Sequence, residues 1–120
     1  MNSEVRRIRE LLIRTYEGDA WHGPSVQSVI ANLSTSQALR RAGDRHNAAE
    51  LVYHMSAWRN FVAQRLSGND SYELSESENW SIVNYLSDED WQLAQETLHR
   101  SQHRLLALLS EIDDELLKRP

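Results

Sequence analysis

Five histidines are the side chains of this 120-residue chain best suited to chemistry: His22, His46, His54, His99 and His103. Imidazole titrates near neutrality and is the commonest nitrogen ligand to metals. The chain has no Cys, which removes disulfides, thiolate metal sites and a thiol nucleophile together. His99 and His103 have the i, i+4 spacing that sets two imidazoles side by side on a helix. Direction counts against them. At about 100° per residue, the apolar stripe of Trp91, Leu98, Leu105 and Leu109 leaves His99 roughly 110° and His103 roughly 150° from its centre, so both are expected to face water.

The segment "HNAAELVYHMSAW" places His46 and His54 eight positions apart. That is about 12 Å along a helix, too far for one ion to bridge. His54 lies on the rim of its helix, about 90° from the middle of the apolar stripe, with Trp58 and Phe61 on the same side. Two readings stay open for it: a partly buried imidazole bonded to a backbone carbonyl, or a metal-binding or catalytic group. Other chemistry is poorly provided for. The carboxylates gather in "SDED" and "IDDE", where solvated or dipole-compensating charges belong. There is no Gly-rich phosphate loop and no G-x-S-x-G elbow. Trp21, Trp58, Trp80 and Trp91 read first as packing anchors.

The elements that must position these groups are helical. Only four Gly and two Pro interrupt the chain, which favours long helices over a turn-rich all-β pattern. Val5, Ile8, Leu11, Leu12 and Tyr16 follow helical spacing, with Gly18 as a stop. Pro24 suits the first turn of a short helix carrying Val26, Val29, Ile30 and Leu33. Ser34 and Gln37 have capping-box spacing for a further brief helix ending near Gly43. Asn47 and Glu50 cap a long helix to Gly68, with Ala48, Leu51, Val52, Met55, Trp58, Val62 and Leu66 as its apolar stripe. "SGNDSYELSESENW" reads as a loop, and Ser87 caps the last helix. Around Leu105, Leu106, Leu108 and Leu109 the apolar surface widens, so this stretch expects an extra helix or another subunit. The class is all-α, most simply an antiparallel bundle of three long helices with short helical segments, formed as a single domain over residues 1–120.

A formal net charge of −5 with no basic cluster argues against a phosphate-backbone partner, so nucleic acid is not expected. No apolar run approaches the roughly 20 residues that cross a bilayer, and no signal-type segment opens the chain. A soluble, cytoplasmic protein without membrane contact is the expectation.

Three segments, "AWHGPSVQSVIANLS", "RHNAAELVYHMSAWRNFVAQRLSGN" and "NW" followed by "SDEDWQLAQETLHRSQHRLLALLSEI", together resemble the DinB-like superfamily of small bacterial four-helix bundles. The resemblance runs from Trp21 onward. It implies a metal-dependent hydrolase or thiol-dependent transferase with a divalent metal, zinc or nickel, held by three His. His54 stands at the position of one ligand, Trp21 and Trp58 would line the pocket, and His46 matches a second-shell or pocket position. The family's other two ligands lie on a fourth helix, as H-x-x-x-H, which this sequence does not show, so the chain is expected to be incomplete at its C-terminal side. The alternative is a non-catalytic scaffold or small-ligand binder that has lost the metal site. A homodimer and an unidentified small molecule are the expected partners.

Overall fold

The structure, a computed structural model, describes residues 3–16 and 25–111. Within them run six helices: α1 (Ser3–Tyr16), α2 (Val26–Ala31), α3 (Thr35–Leu39), α4 (Ala48–Leu66), α5 (Glu76–Asn79) and α6 (Asp88–Leu109). No strand occurs among the described residues, and the fold is an all-α bundle.

Local capping explains most helix starts. Ser34 and Gln37 close a reciprocal capping box on α3, and Asn47 and Glu50 close another on α4. The Ser87 hydroxyl accepts from the backbone N–H of Asp90, with Asp88, Glu89 and Asp90 on the positive end of the α6 dipole. The short helix α2 starts at Val26, two positions later than a proline at the first helical position implies, because Ser25 is its N-cap. Pro24 itself lies outside the described residues. The helix from Ser34 stops at Leu39, ahead of Gly43, whose positive φ of 65° serves a separate turn.

The long helices pack along their lengths. Val5 meets Leu105 and Leu109, the Leu12 carbonyl accepts from Gln102 Nε2 at 3.0 Å, and Tyr16 faces His99, so α1 runs antiparallel to α6. Arg59 Nε donates to Gln102 Oε1 at 2.9 Å, Arg104 reaches Asn60, and Leu66 packs against the cluster of Val5, Leu105 and Leu109, so α4 runs the same way as α6. The connection through residues 67–87 must therefore cross back along the bundle, and that crossing carries α5. Gln102, fully buried, ties all three long helices by using both ends of its amide. The widened leucine surface finds its extra helix within the chain: α1 covers Leu105 and Leu109 with Val5, Ile8 and Leu12.

One face differs from the periodicity-based expectation. In α4 the buried residues are Ala49, Glu50, Val52, Ser56 and Ala63. Leu51, Trp58 and Val62, three members of the large apolar stripe, stay 44%, 41% and 38% exposed. The small residues decide the facing, since Ala49, Ser56 and Ala63 let the α4 backbone come close to its neighbours. The larger side chains are rotated outward as a consequence.

Candidate functional site

The site is built from α5 upward. Ser75 and Glu78 form a capping box around this single turn, and the backbone N–H groups of Asn79 and Trp80 donate to the Ser75 and Glu76 carbonyls, each at 2.9 Å. These bonds fix the two residues that meet α4. The loop expected over this stretch is thus interrupted by a capped helical turn, and that turn is what reaches the histidine.

His54 is half-buried. Its Nδ1 lies 2.7 Å from the Asn79 carbonyl oxygen. A carbonyl can only accept, so Nδ1 carries the proton and the lone pair of the neutral ring sits on Nε2. The Trp80 indole stacks flat on the same imidazole, with centroids 3.8 Å apart and planes 6° from parallel. Trp58 stands edge-on at 6.3 Å, and its Nε1–H donates to Asn79 Oδ1 at 2.7 Å. One residue, Asn79, therefore holds the two α4 side chains that the sequence singles out, by its main chain and its side chain separately.

His46 enters the same cluster through Trp80. Its ring stacks on the indole at 3.8 Å and 8°, so one tryptophan joins two imidazoles that spacing alone keeps apart. Its Nδ1–H also donates to Glu50 Oε1 at 3.2 Å. Trp21, together with His22, lies outside the described residues.

Beneath the aromatic cluster sits an ion pair read from the sequence only as a cap. Glu50, 1% exposed, receives Arg41 through two N–H groups at 2.6 and 2.9 Å, the Val83 backbone N–H at 2.9 Å and the Asn47 backbone N–H at 3.0 Å. The Arg41 guanidinium is the main cause that holds the Glu50 carboxyl down at about 2, assisted by those backbone donors and by His46 and opposed by burial. Arg41 also bonds the Val83 carbonyl and Asn84 Oδ1. The segment after Trp80 is thereby pinned to the start of α4. Glu50 organises the site without facing it.

His99 and His103 depart from the solvent-facing expectation in part. His103 is exposed, but His99 is half-buried, its ring 6.0 Å from Tyr16 and 4.4 Å from that of His103. It borders a cavity of about 440 Å³ between α1, α2 and α6, and its Nδ1 is buried without a hydrogen-bond partner. The stripe used to orient α6 leaves out the contact of His99 with Tyr16 at the end of α1. The end of α1 adds a second buried side, which takes in His99.

The DinB superfamily model matches residues 20–120. The chain belongs to the DinB superfamily. No curated protein and no solved structure shows a significant match. Among the described residues of this DinB-superfamily chain, no three His, Asp or Glu side chains come together to hold a metal. His54 fits one ligand position, with a free nitrogen and a fixed tautomer, but the described residues do not fit a complete centre, which takes about three protein donors. No catalytic step is assigned to them. What sequence reasoning missed here is the role of Asn79 and Trp80; the "NW" pair is the available signal, in which Trp80 reads as a packing anchor and as part of the family pattern.

Proposed function

We propose that His54 of this DinB-superfamily domain is one donor of a divalent-metal centre, zinc or nickel, in a hydrolase or a thiol-dependent transferase. The observation that carries the reading is the 2.7 Å bond from His54 Nδ1 to the Asn79 carbonyl. Metal-ligating imidazoles characteristically donate their second nitrogen to a carbonyl or carboxylate, which fixes the ring and raises its basicity. Bound metal would supply Lewis acidity and a lowered pKa for bound water or thiol. The chain's own residues orient the donor: Asn79 sets the tautomer, Trp80 and Trp58 set the ring plane, and Glu50 with Arg41 anchors the backbone beneath. The remaining donors come from outside the described residues.

Metal content of protein purified without chelator, measured by mass spectrometry, tests this. Near-stoichiometric zinc or nickel that falls away in His54→Ala with an unchanged circular dichroism spectrum supports it. Less than a tenth of an equivalent in the unaltered protein sinks it, and leaves a non-catalytic ligand-binding or scaffold domain.

A homodimer is the second part of the reading. Leu51, Met55, Trp58 and Val62 recur at i, i+4, i+7 and i+11 on α4, and three of them are more than a third exposed. Such a stripe is self-complementary about a twofold axis, so a second copy of the chain can cover it with the same residues. The domain is proposed to act on a small molecule in the cytoplasm. No described helix is long and apolar enough to cross a membrane.

A further inference from the structure

We infer that the groove between α4 and α6 is a binding site for a phosphoryl oxyanion, inorganic phosphate or a compact phosphomonoester. Two helix faces line a cavity of about 240 Å³: Ser56, Asn60 and Ala63 from α4, and Thr97, Arg100, Ser101 and Arg104 from α6. Ser56 lies 200° around α4 from His54 at about 100° per residue, so this groove is on the far side of the helix and is independent of the metal reading.

The lining is one-sided in its chemistry. It holds two guanidinium groups and no carboxylate. Neither arginine makes an ion pair among the described residues, where the pairs involve Arg7, Arg41 and His46. Arg104 Nη1 donates to Asn60 Oδ1 at 2.9 Å, and Arg100 Nη2 reaches Thr97 Oγ1 at 3.5 Å. Each contact orients a guanidinium along the groove while leaving most of its five N–H donors unused. Ser101 is spent on the Leu98 carbonyl at 2.7 Å, and Asn60 Nδ2 on the Tyr72 hydroxyl at 3.1 Å.

Ser56 adds an unsatisfied donor to the same groove. It is 8% exposed and lines the cavity, and its hydroxyl is buried with no partner. A buried hydroxyl without a partner carries a desolvation penalty that an incoming acceptor can remove. The groove thus offers exposed charged donors from Arg100 and Arg104 and a buried neutral donor from Ser56. A ligand that accepts from several directions and carries negative charge answers both, and a phosphoryl group does so. The space is larger than a single phosphate needs but below the ~300 Å³ usual for drug-sized ligands, which sets the limit at a compact ester.

The test is isothermal titration of the whole chain with inorganic phosphate and, separately, glycerol 3-phosphate, each at constant ionic strength. Saturable one-site binding is expected, weakened about tenfold or more in the Arg100→Gln/Arg104→Gln double variant, since charge-assisted bonds are lost. Tighter binding of glycerol 3-phosphate assigns the site to phosphomonoesters, and equal binding assigns it to inorganic phosphate; both support the site. Ser56→Ala should melt at or above the unaltered protein without ligand, yet show a smaller phosphate-induced rise in melting temperature. Arg40→Gln, an exposed arginine elsewhere, should bind as the unaltered protein does. The site is overturned by no saturable binding of either ligand at millimolar concentration, or by unchanged affinity in the double variant. An equal loss in Arg40→Gln, showing general charge screening only, also overturns it.

Discussion

The Asn79 carbonyl accepts a hydrogen bond from His54 Nδ1 at 2.7 Å across 25 residues of sequence, and the side chain of the same Asn79 accepts from Trp58. This pairing makes the crossing segment between α4 and α6 part of the site. It also explains why an otherwise polar stretch is capped and helical at that point: the turn of α5 is what aims the carbonyl.

Removing Trp80 should therefore loosen both imidazoles at once. Trp80→Ala is expected to destabilise the fold by about 2 kcal/mol, less than a fully buried tryptophan because the indole is half-exposed at the surface. Urea denaturation gives the stability. The side-chain NMR signals of His46 and His54 should both shift, whereas those of His103 should not.

The Glu50 pair predicts a specific acid response. The carboxyl is held near 2 in the folded protein against an ordinary value of 4.5, so its stabilisation is complete above about pH 4.5 and is lost as pH falls toward 2. The loss over that window is about 3 kcal/mol. Glu50→Gln should lower stability at neutral pH by about 2 to 3 kcal/mol, since Arg41 keeps only part of its partner, and should flatten the profile between pH 4.5 and 2. Denaturation series at stepped pH measure both slopes.

The facing of α4 gives a sharp contrast between two adjacent residues. Ala63 is 1% exposed and Val62 is 38% exposed. Ala63→Leu is expected to cost about 1 to 3 kcal/mol by overpacking, whereas Val62→Ala should cost less than about 1 kcal/mol in the monomer. Equal effects would mean that α4 is rotated differently.

That contrast also shows what the sequence makes readable. The caps at Ser34, Asn47 and Ser87 could be read directly, because each depends on a hydrogen bond within three residues. The rotation of α4 could not. Large apolar residues dominate a periodicity count, but the close approach in this bundle selects Ala49, Ser56 and Ala63, and the burial of Glu50 depends on Arg41 and on Val83, 33 residues away. For the site, His54 and its carbonyl-bonded alternative were readable from its rim position. The carbonyl of Asn79 ends a four-residue helix, and the indole that joins His54 to His46 belongs to its C-cap, Trp80; an element that short leaves no periodic signal.

The exposed stripe on α4 predicts the oligomeric state. Light scattering at high micromolar concentration should report twice the 13.9 kDa chain mass. Leu51→Glu/Val62→Glu should give monomers with an unchanged helical spectrum, because the charges cannot be covered at a twofold contact. A monomer in the unaltered protein would remove the dimer.

The metal reading rests on which nitrogen of His54 is free, and long-range proton–nitrogen NMR of the imidazoles during a zinc titration reads that atom directly. A Nδ1–H tautomer is expected for His54 before zinc, with its Nε2 resonance moving as zinc is added and that of His103 responding less. A Nε2–H tautomer, or a His54 signal indifferent to zinc, would contradict it.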